Sequence, residues 1–344
     1  MSKQFKQLSN SEREKIYLFL SQGMKQAAIA KKLKRNKSTI SNELKRNNHE
    51  RMDEYLPDTA QRKAEKRKQR GRKQGYINKN PELKEYILLG LENGWSPEET
   101  SGRMRDEKKP FYANHETIYQ YIYSLSGRKQ NLKYYLRRAH RIRRKKGGRK
   151  TKKTKIPNRI DIALRSKIVD KRKQFGHWEG DTMMFLGHKQ TLATHTERKT
   201  RFIAAKRPNS RTAEDRSYIA EKTFKKLPPE AKRTMTLDNG SENSEHETVT
   251  KSTGIKIYFA RPYASWQRGA NENSNGLIRW YLPRNTDLNN LTEKQLDDII
   301  DLINNRPRKC LSYKTPKEMF ELEMNKIKSK SLTYRTNHSV AFVN

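Results

Sequence analysis

Apolar positions in the first part of the chain recur at helical spacing. Ile29, Ala30, Leu33, Ile40 and Leu44 fall on one face of a helical unit predicted over residues 9–48. Ser9-Asn10-Ser11-Glu12 offers an N-cap before Ile16-Tyr17-Leu18-Phe19-Leu20, and Gly23 ends that helix. A helix over Lys25–Leu33, a polar turn at Lys34-Arg35-Asn36 and a helix over Lys37–Arg46 complete a helix-turn-helix pattern. Lys34 holds the turn position where glycine is common.

A second helical unit is predicted over 81–124. Pro81 starts a helix through Leu91, Ser96 caps another with Pro97 at its first position, and Asn114–Tyr123 reads as a second candidate recognition helix. From about residue 160 the pattern changes to α/β. Trp178–Leu186, Thr191–Glu197 and Phe202–Arg207 read as strands, Thr212–Leu227 as an amphipathic helix, and Arg233–Leu237 and Ile255–Ala260 as further strands. Helices over Asn271–Tyr281 and Thr292–Asn304 follow. Three strands, a helix, a strand, a helix, a strand and more helices is the order of the ribonuclease H-like fold.

Charge gives these modules a partner. The 344 residues carry a net charge of +39. Residues 1–160 hold 43 Lys and Arg against 16 Asp and Glu, and residues 161–344 hold 34 against 22. Such charge favours nucleic acid or an anionic membrane. No apolar run approaches the roughly 18 residues of a spanning helix, so no membrane role is expected. The N-terminus lacks the apolar core of a signal peptide. The single cysteine, Cys310, forms no internal disulfide and supplies no zinc cluster, so an intracellular protein is expected.

The expected organisation is a helix-turn-helix DNA-binding domain over 1–60, a basic linker over 61–80, and a second helical DNA-binding domain over 81–136. A second basic linker over 137–160, a catalytic domain over 161–330 and a tail over 331–344 follow.

Three acids stand out in so basic a chain: Asp181, Asp238 and Glu272. Thirty-three residues separate the last two. Asp181 is placed in the first strand, Asp238 at the end of the fourth and Glu272 on a helix. In the ribonuclease H-like topology those strands are neighbours, and a helix across that edge brings in Glu272. Hard oxygen ligands of this kind hold paired magnesium or manganese ions about 3.5–4 Å apart for in-line phosphoryl transfer. Glu179 shares a strand face with Asp181 and competes for its role, or supports it from behind. Glu242 and Glu245 compete less well. His177 and His246 are possible proton carriers. Tyr263 and Trp266 could stack on an unpaired base, although Trp266 also suits a core.

In the first recognition helix, Lys37, Thr39, Ser41 and Asn42 are candidate base readers, with Ser38 beside them; Lys45 and Arg46 suit phosphates. In the second unit the face at His115, Glu116 and Gln120 is the open question. Asn271, Asn273 and Asn275 could contact phosphate or orient Glu272, and Arg279, seven residues after Glu272, could hold a phosphate. Arg268 is a further candidate DNA contact, and Asn239 a supporting residue beside Asp238.

Long strings carry a resemblance: Gly176-His177-Trp178-Glu179-Gly180-Asp181, Asp238-Asn239-Gly240-Ser241-Glu242, and Pro262 through Arg279. With Ile29-Ala30-Lys31-Lys32-Leu33 and His115-Glu116-Thr117-Ile118-Tyr119 they span nearly the whole chain. The sequence resembles bacterial transposases of the insertion sequence 30 family, within the DDE transposases and retroviral integrases. The resemblance implies an integrase-type catalytic domain with Asp181, Asp238 and Glu272 as a metal-binding triad. It implies recognition of terminal inverted repeats by the N-terminal modules, strand transfer into target DNA through a 3′-hydroxyl, and a circular intermediate. A bacterial, cytoplasmic, nucleoid-associated protein is expected. Two ends must be cut and joined together, so at least a dimer is expected. Two positions depart from the family: Asn243 where phenylalanine is usual, and Thr100 where an aliphatic residue is usual. The first is expected to change local packing near Asp238 and the second to bear on the detail of the second helical unit, and neither is expected to touch the triad. The rival readings are a DNA-binding regulator with a dead catalytic domain, separable by a nicking assay, and a nuclease without joining activity, separable by a strand-transfer assay.

Overall fold

The computed structural model describes residues 7–47, 54–73, 75–137, 156–262 and 264–340. They divide into two compact units, Met1–Pro81 and Glu82–Asn344.

The first unit packs four helices: α1 (Asn10–Ser21), α2 (Gln26–Lys32), α3 (Lys37–Asn47) and α4 (Pro57–Lys73). Ser9 and Glu12 form a reciprocal capping box that starts α1. Lys34 takes the left-handed conformation that the turn before α3 requires, with φ of 51°. The core gathers Ile16, Ile29, Ala30 and Ile40 with Tyr55 and Ala60. Beneath it, the buried Arg13 pairs with Glu43 at 2.7 Å and donates to Gln61 Oε1, also at 2.7 Å.

The basic segment expected as a linker over 61–80 is instead helical through Lys73. Pro57 opens α4 at a position where its missing N–H costs nothing, and Ala, Gln, Lys and Arg are all good helix formers. Ala60 enters the core, Gln61 holds Arg13, and Arg67 bonds the buried Asn47. A fragment of residues 1–81 should therefore melt cooperatively, whereas residues 1–60, keeping only the first turn of α4, should not. Circular dichroism of the two fragments against temperature is the check, and equal melting would deny α4 a structural part.

The second unit begins with α5 (Pro81–Glu92), α6 (Pro97–Asp106), α7 (His115–Tyr123) and α8 (Leu125–Lys129). Ser96 with Glu99 caps α6, and Asn114 caps α7. A mixed sheet follows: β1 (His177–Phe185), β2 (Gln190–Glu197), β3 (Ile203–Lys206), then α9 (Ala213–Phe224), β4 (Thr234–Leu237), α10 (His246–Thr253) and β5 (Lys256–Phe259). The strand order is β3-β2-β1-β4-β5, with β1, β4 and β5 paired in parallel and β2 running against both its neighbours, β1 and β3. The chain ends with α11 (Gly269–Tyr281), α12 (Glu293–Asn304) and α13 (Pro316–Val340). Helices cover both sheet faces. Met183 and Phe185 meet Leu277 and Ile278 of α11 and Ile300 and Ile303 of α12. On the other face Trp178, Met235 and Ile257 meet Ala220, Phe224 and Val249 of α9 and α10.

Two expected boundaries shift. The helices over 81–136 share one compact unit with the sheet. Arg103 on α6 pairs with Glu318 on α13 at 2.5 Å, Arg306 pairs with Glu99 at 2.7 Å, and Lys309 with Glu98 at 2.6 Å. Tyr313 packs on Gly102, where a Cβ would collide with its ring. The residues expected as a tail from 331 continue α13 as far as Val340. Of the second basic run, residues 138–155 lie outside the described residues.

Candidate active site

The motif His177–Asp181 forms the start of β1, and each residue has a separate duty. His177 is buried, with Nδ1 at 2.8 Å from Thr234 Oγ1 and Nε2 at 2.8 Å from Gln174 Oε1. Burial, with Arg233 adding to it, pushes its pKa down to about 4. It ties β1 to β4 and is not placed as a proton carrier. Trp178 fills the core and donates its indole N–H to the Ala231 carbonyl at 2.8 Å. Gly180 leaves room on the same face, since a Cβ there would lie 2.5 Å from the Leu237 side chain and 3.3 Å from Arg216.

Glu179 and Asp181 point to the opposite face, the one α11 covers. Four residues of helix rise about 6 Å, and two residues of strand advance about 6.7 Å. One turn of the helix can therefore keep pace with Glu179 and Asp181. Asn271 N–H donates to Glu179 Oε2 at 3.0 Å, Asn275 Nδ2 to Asp181 Oδ2 at 2.6 Å, and Arg279 to the Met184 carbonyl at 2.7 Å. Thr194 Oγ1 donates to Asn275 Oδ1 and so fixes that amide's orientation.

Asp238 follows β4 directly, and β4 runs parallel beside β1. Its Oδ1 accepts from Gly240 N–H at 3.1 Å and from Asn243 Nδ2 at 2.9 Å. Arg268, the residue before α11, bridges the two aspartates. Its Nη1 lies 3.0 Å from Asp181 Oδ1 and its Nη2 lies 3.2 Å from Asp238 Oδ2. Burial pulls the guanidinium pKa down, and the two carboxylates more than reverse that. Glu272 stands one turn after Arg268 on the same helical face, exposed and without an ion pair among the described residues. No three acid, imidazole or thiolate groups converge on a metal-sized site among the described residues.

Behind these acids lies a permanent cation. Arg216 of α9 is buried, with Nη1 2.9 Å from His195 Nε2 and Nη2 3.3 Å from the Asp181 carbonyl. Burial and Arg216 together hold the His195 pKa far down, so the ring accepts as a neutral imidazole. His195, Arg216 and Glu242 line one small cavity that is partly open to solvent. Burial, then Asp238 and Asp181, push the Glu242 carboxyl pKa up, with Arg216 opposing.

Several expectations change at this point. Arg268 and Asn275 hold aspartates and Arg279 lies over the Phe185 ring at 4.0 Å, so each of the three has a partner within the protein. Asn271 is 1% exposed and cannot reach a phosphate. Glu179 is fully buried against Arg198 at 2.6 Å, away from solvent. Asn243 does touch Asp238, contrary to expectation. Asn239 joins Arg159 to the Ala260 carbonyl, at 2.6 and 2.7 Å. His246 is buried against Phe259 and the Pro157 carbonyl. Trp266 is 75% exposed, which leaves stacking open to it and removes it from the core. Tyr263 lies outside the described residues. Sequence reasoning missed Arg216, whose only signal was a positive charge in line with Ala220 and Phe224 on the apolar face of its helix.

The candidate DNA faces are open. Lys37, Ser38, Ser41, Asn42, Lys45 and Arg46 are exposed along α3 and Thr39 is half-buried, while His115, Glu116 and Gln120 are exposed on α7.

Comparison with known proteins agrees with this architecture. A helix-turn-helix domain model matches residues 4–47, and an integrase core domain model matches residues 171–265. The transposase of insertion sequence element IS4351 from Bacteroides fragilis is 38% identical over 320 residues, covering 93% of this chain and 97% of that protein. The chain belongs to the insertion sequence 30 family of transposases. The transposase InsI of element IS30A from Escherichia coli (strain K12) is 39% identical over 327 residues, covering 91% of this chain and 83% of that protein. The transposase of element IS1086 from Cupriavidus metallidurans is 31% identical, covering 91% and 93%. This transposase is therefore a DDE-type enzyme with a divalent-metal-dependent integrase core and a DNA-binding helix-turn-helix domain. No helix among the described residues is long and apolar enough to cross a membrane.

Proposed function

We propose that Asp181, Asp238 and Glu272 hold two magnesium or manganese ions and that the enzyme cuts the ends of its element and joins them to target DNA. The observation that carries the site is the bridge from Arg268 to both aspartates, Asp181 within β1 and Asp238 just past the end of the neighbouring β4, with Glu272 one helical turn further on. A cation already lies between these hard oxygen donors, so they fit a divalent metal. Such a pair of ions, when bound, supplies a nucleophile of lowered pKa and charge for the leaving 3′-oxygen.

The chain's own residues do the rest. Asn275 and Asn243 each fix one carboxylate oxygen of an aspartate and leave the other facing the gap. Arg216 keeps β1 seated through the Asp181 carbonyl. Glu179 anchors the first turn of α11 and so sets where Glu272 sits. The helix-turn-helix unit would read terminal inverted repeats, acting in a bacterial cytoplasm at the nucleoid, and two ends require at least a dimer. The test is to mix the protein, magnesium and labelled ends of its own element, then map products. Nicked but never joined ends would favour a nuclease.

The exposed α3 face divides into readers and phosphate contacts. Lys45→Ala should weaken binding to all duplexes alike and reduce the log–log salt slope by about 0.9. Thr39→Ala or Asn42→Ala should instead alter sequence preference, by roughly 1–3 kcal/mol each. Binding titrations at several salt concentrations, on element-end and random duplexes, distinguish the two classes. A Lys45→Ala effect confined to element ends would move that residue among the base readers.

A further inference from the structure

Two aspartates that face each other across adjacent inner strands repel, and something must hold them there before metal arrives. Arg268 does so with one guanidinium nitrogen on each, at 3.0 and 3.2 Å, and a further bond from Nη1 to the Gly180 carbonyl at 3.2 Å. Its side chain is 17% exposed, while those of Asp181 and Asp238 are 23% and 34% exposed. The cation is therefore the most enclosed member of the trio, seated between the two oxygens that a shared metal ion would use. Asp181 Oδ2 and Asp238 Oδ1 are already committed to Asn275 and Asn243. The inward oxygens, Oδ1 and Oδ2 respectively, are the ones that Arg268 covers.

We infer that Arg268 is a placeholder for the catalytic cation, spacing and neutralising Asp181 and Asp238 until a divalent ion displaces it. This rests on the proposed aspartate metal site and goes beyond it, because it makes metal binding a competition. A guanidinium and a dication cannot share the gap, on grounds of both volume and charge. Arg268 has the room to leave. It precedes the first turn of α11 with non-helical backbone, φ −124° and ψ 38°, next to the exposed Trp266. Once displaced, its charge stays tethered beside the site, where a bound DNA phosphate would take it up.

The experiment is a calorimetric titration of the full chain with manganese chloride, without DNA, in wild type, Arg268→Gln, Arg268→Lys and Asp238→Asn. The placeholder predicts that Arg268→Gln binds manganese more tightly, by roughly tenfold, within the usual range for coupled ligands. Its metal-free melting temperature should fall and its metal-induced rise should exceed that of wild type. A merely structural arginine would lower stability without tightening metal binding. Should Arg268→Gln not fold, the wild-type guanidinium signal in nitrogen NMR, assigned by its loss in Arg268→Lys, gives the answer: saturating magnesium should move it.

Unchanged or weaker manganese binding in Arg268→Gln, or a guanidinium signal indifferent to magnesium, overturns the placeholder while leaving the metal site intact. If Asp238→Asn binds manganese as tightly as wild type, or if no variant binds it, the aspartate site itself fails and the placeholder with it.

Discussion

Asp238→Asn should abolish strand cleavage and joining while leaving DNA binding intact. The loss should exceed the roughly 100-fold cost of removing a partner behind a metal ligand, because the ligand itself is altered. Shape is nearly unchanged, so the effect is one of charge and of donors. The native carboxylate accepts from Gly240 N–H and Asn243 Nδ2 on one oxygen and faces Arg268 with the other. An amide has one NH₂ to place. Turned toward Asn243 it meets two donors, and turned toward Arg268 it meets a third, so the carboxamide cannot satisfy both sides. It also removes a full negative charge from a site meant for a hard cation. Single-turnover cleavage of labelled ends in magnesium, beside a gel-shift titration, measures both quantities. Strand transfer near the wild-type rate would remove Asp238 from the catalytic set.

Legibility differed from residue to residue. The strands and helices of the catalytic unit were readable because their apolar periodicities change with element type, and Ser96, Pro97 and Asn114 announce helix starts by local chemistry. The three acids were readable because carboxylates are sparse in so basic a chain. Helix α4 was hidden by its composition: a run of lysine and arginine looks like a solvated linker, and only contacts distant in sequence, such as Arg13 with Gln61, reveal a packed helix. Helix α13 hid for a related reason, since Glu318 and Glu323 find their partners at Arg103 and Lys199, far upstream.

The asparagines of α11 illustrate phase. Asn271, Asn273 and Asn275 alternate in sequence, which suggests a common role, but residues two apart do not face each other on a helix. Asn273 is exposed, Asn271 is buried, and Asn275 reaches Asp181. The face that matters runs through Arg268, Glu272, Asn275 and Arg279. The sequence contains that spacing; what it lacks is the identity of the surface opposite. Once β1 is known to lie there, Arg268 and Arg279 are seen to have internal partners, Asp181 and the Met184 carbonyl among them.

The same surface decides the case of Glu179, the acid that shares its strand face with Asp181. Glu179→Gln should destabilise the fold, whereas Asp181→Asn should spare the fold and eliminate catalysis. Glu179 is fully buried and pairs with Arg198, whose own side chain is 5% exposed. Removing one partner of such a pair typically costs about 3–5 kcal/mol, because the remaining charge is left buried. Here Asp170, 3.4 Å from Arg198, offsets part of the loss, so the lower end is expected. The carboxylate also accepts the Asn271 N–H, at the start of the helix that carries Glu272 and Asn275. A glutamine keeps one acceptor oxygen and must choose between Arg198 and Asn271. Activity should therefore fall through a misplaced α11 without vanishing. Geometry points the same way: two residues of strand put Glu179 roughly 7 Å from Asp181, too far for both to bridge ions about 4 Å apart. Urea denaturation and single-turnover cleavage, measured on both variants, separate the roles. A Glu179→Gln chain as stable as wild type yet inactive, beside an Asp181→Asn chain with residual turnover, would reverse the assignment and make Glu179 the ligand.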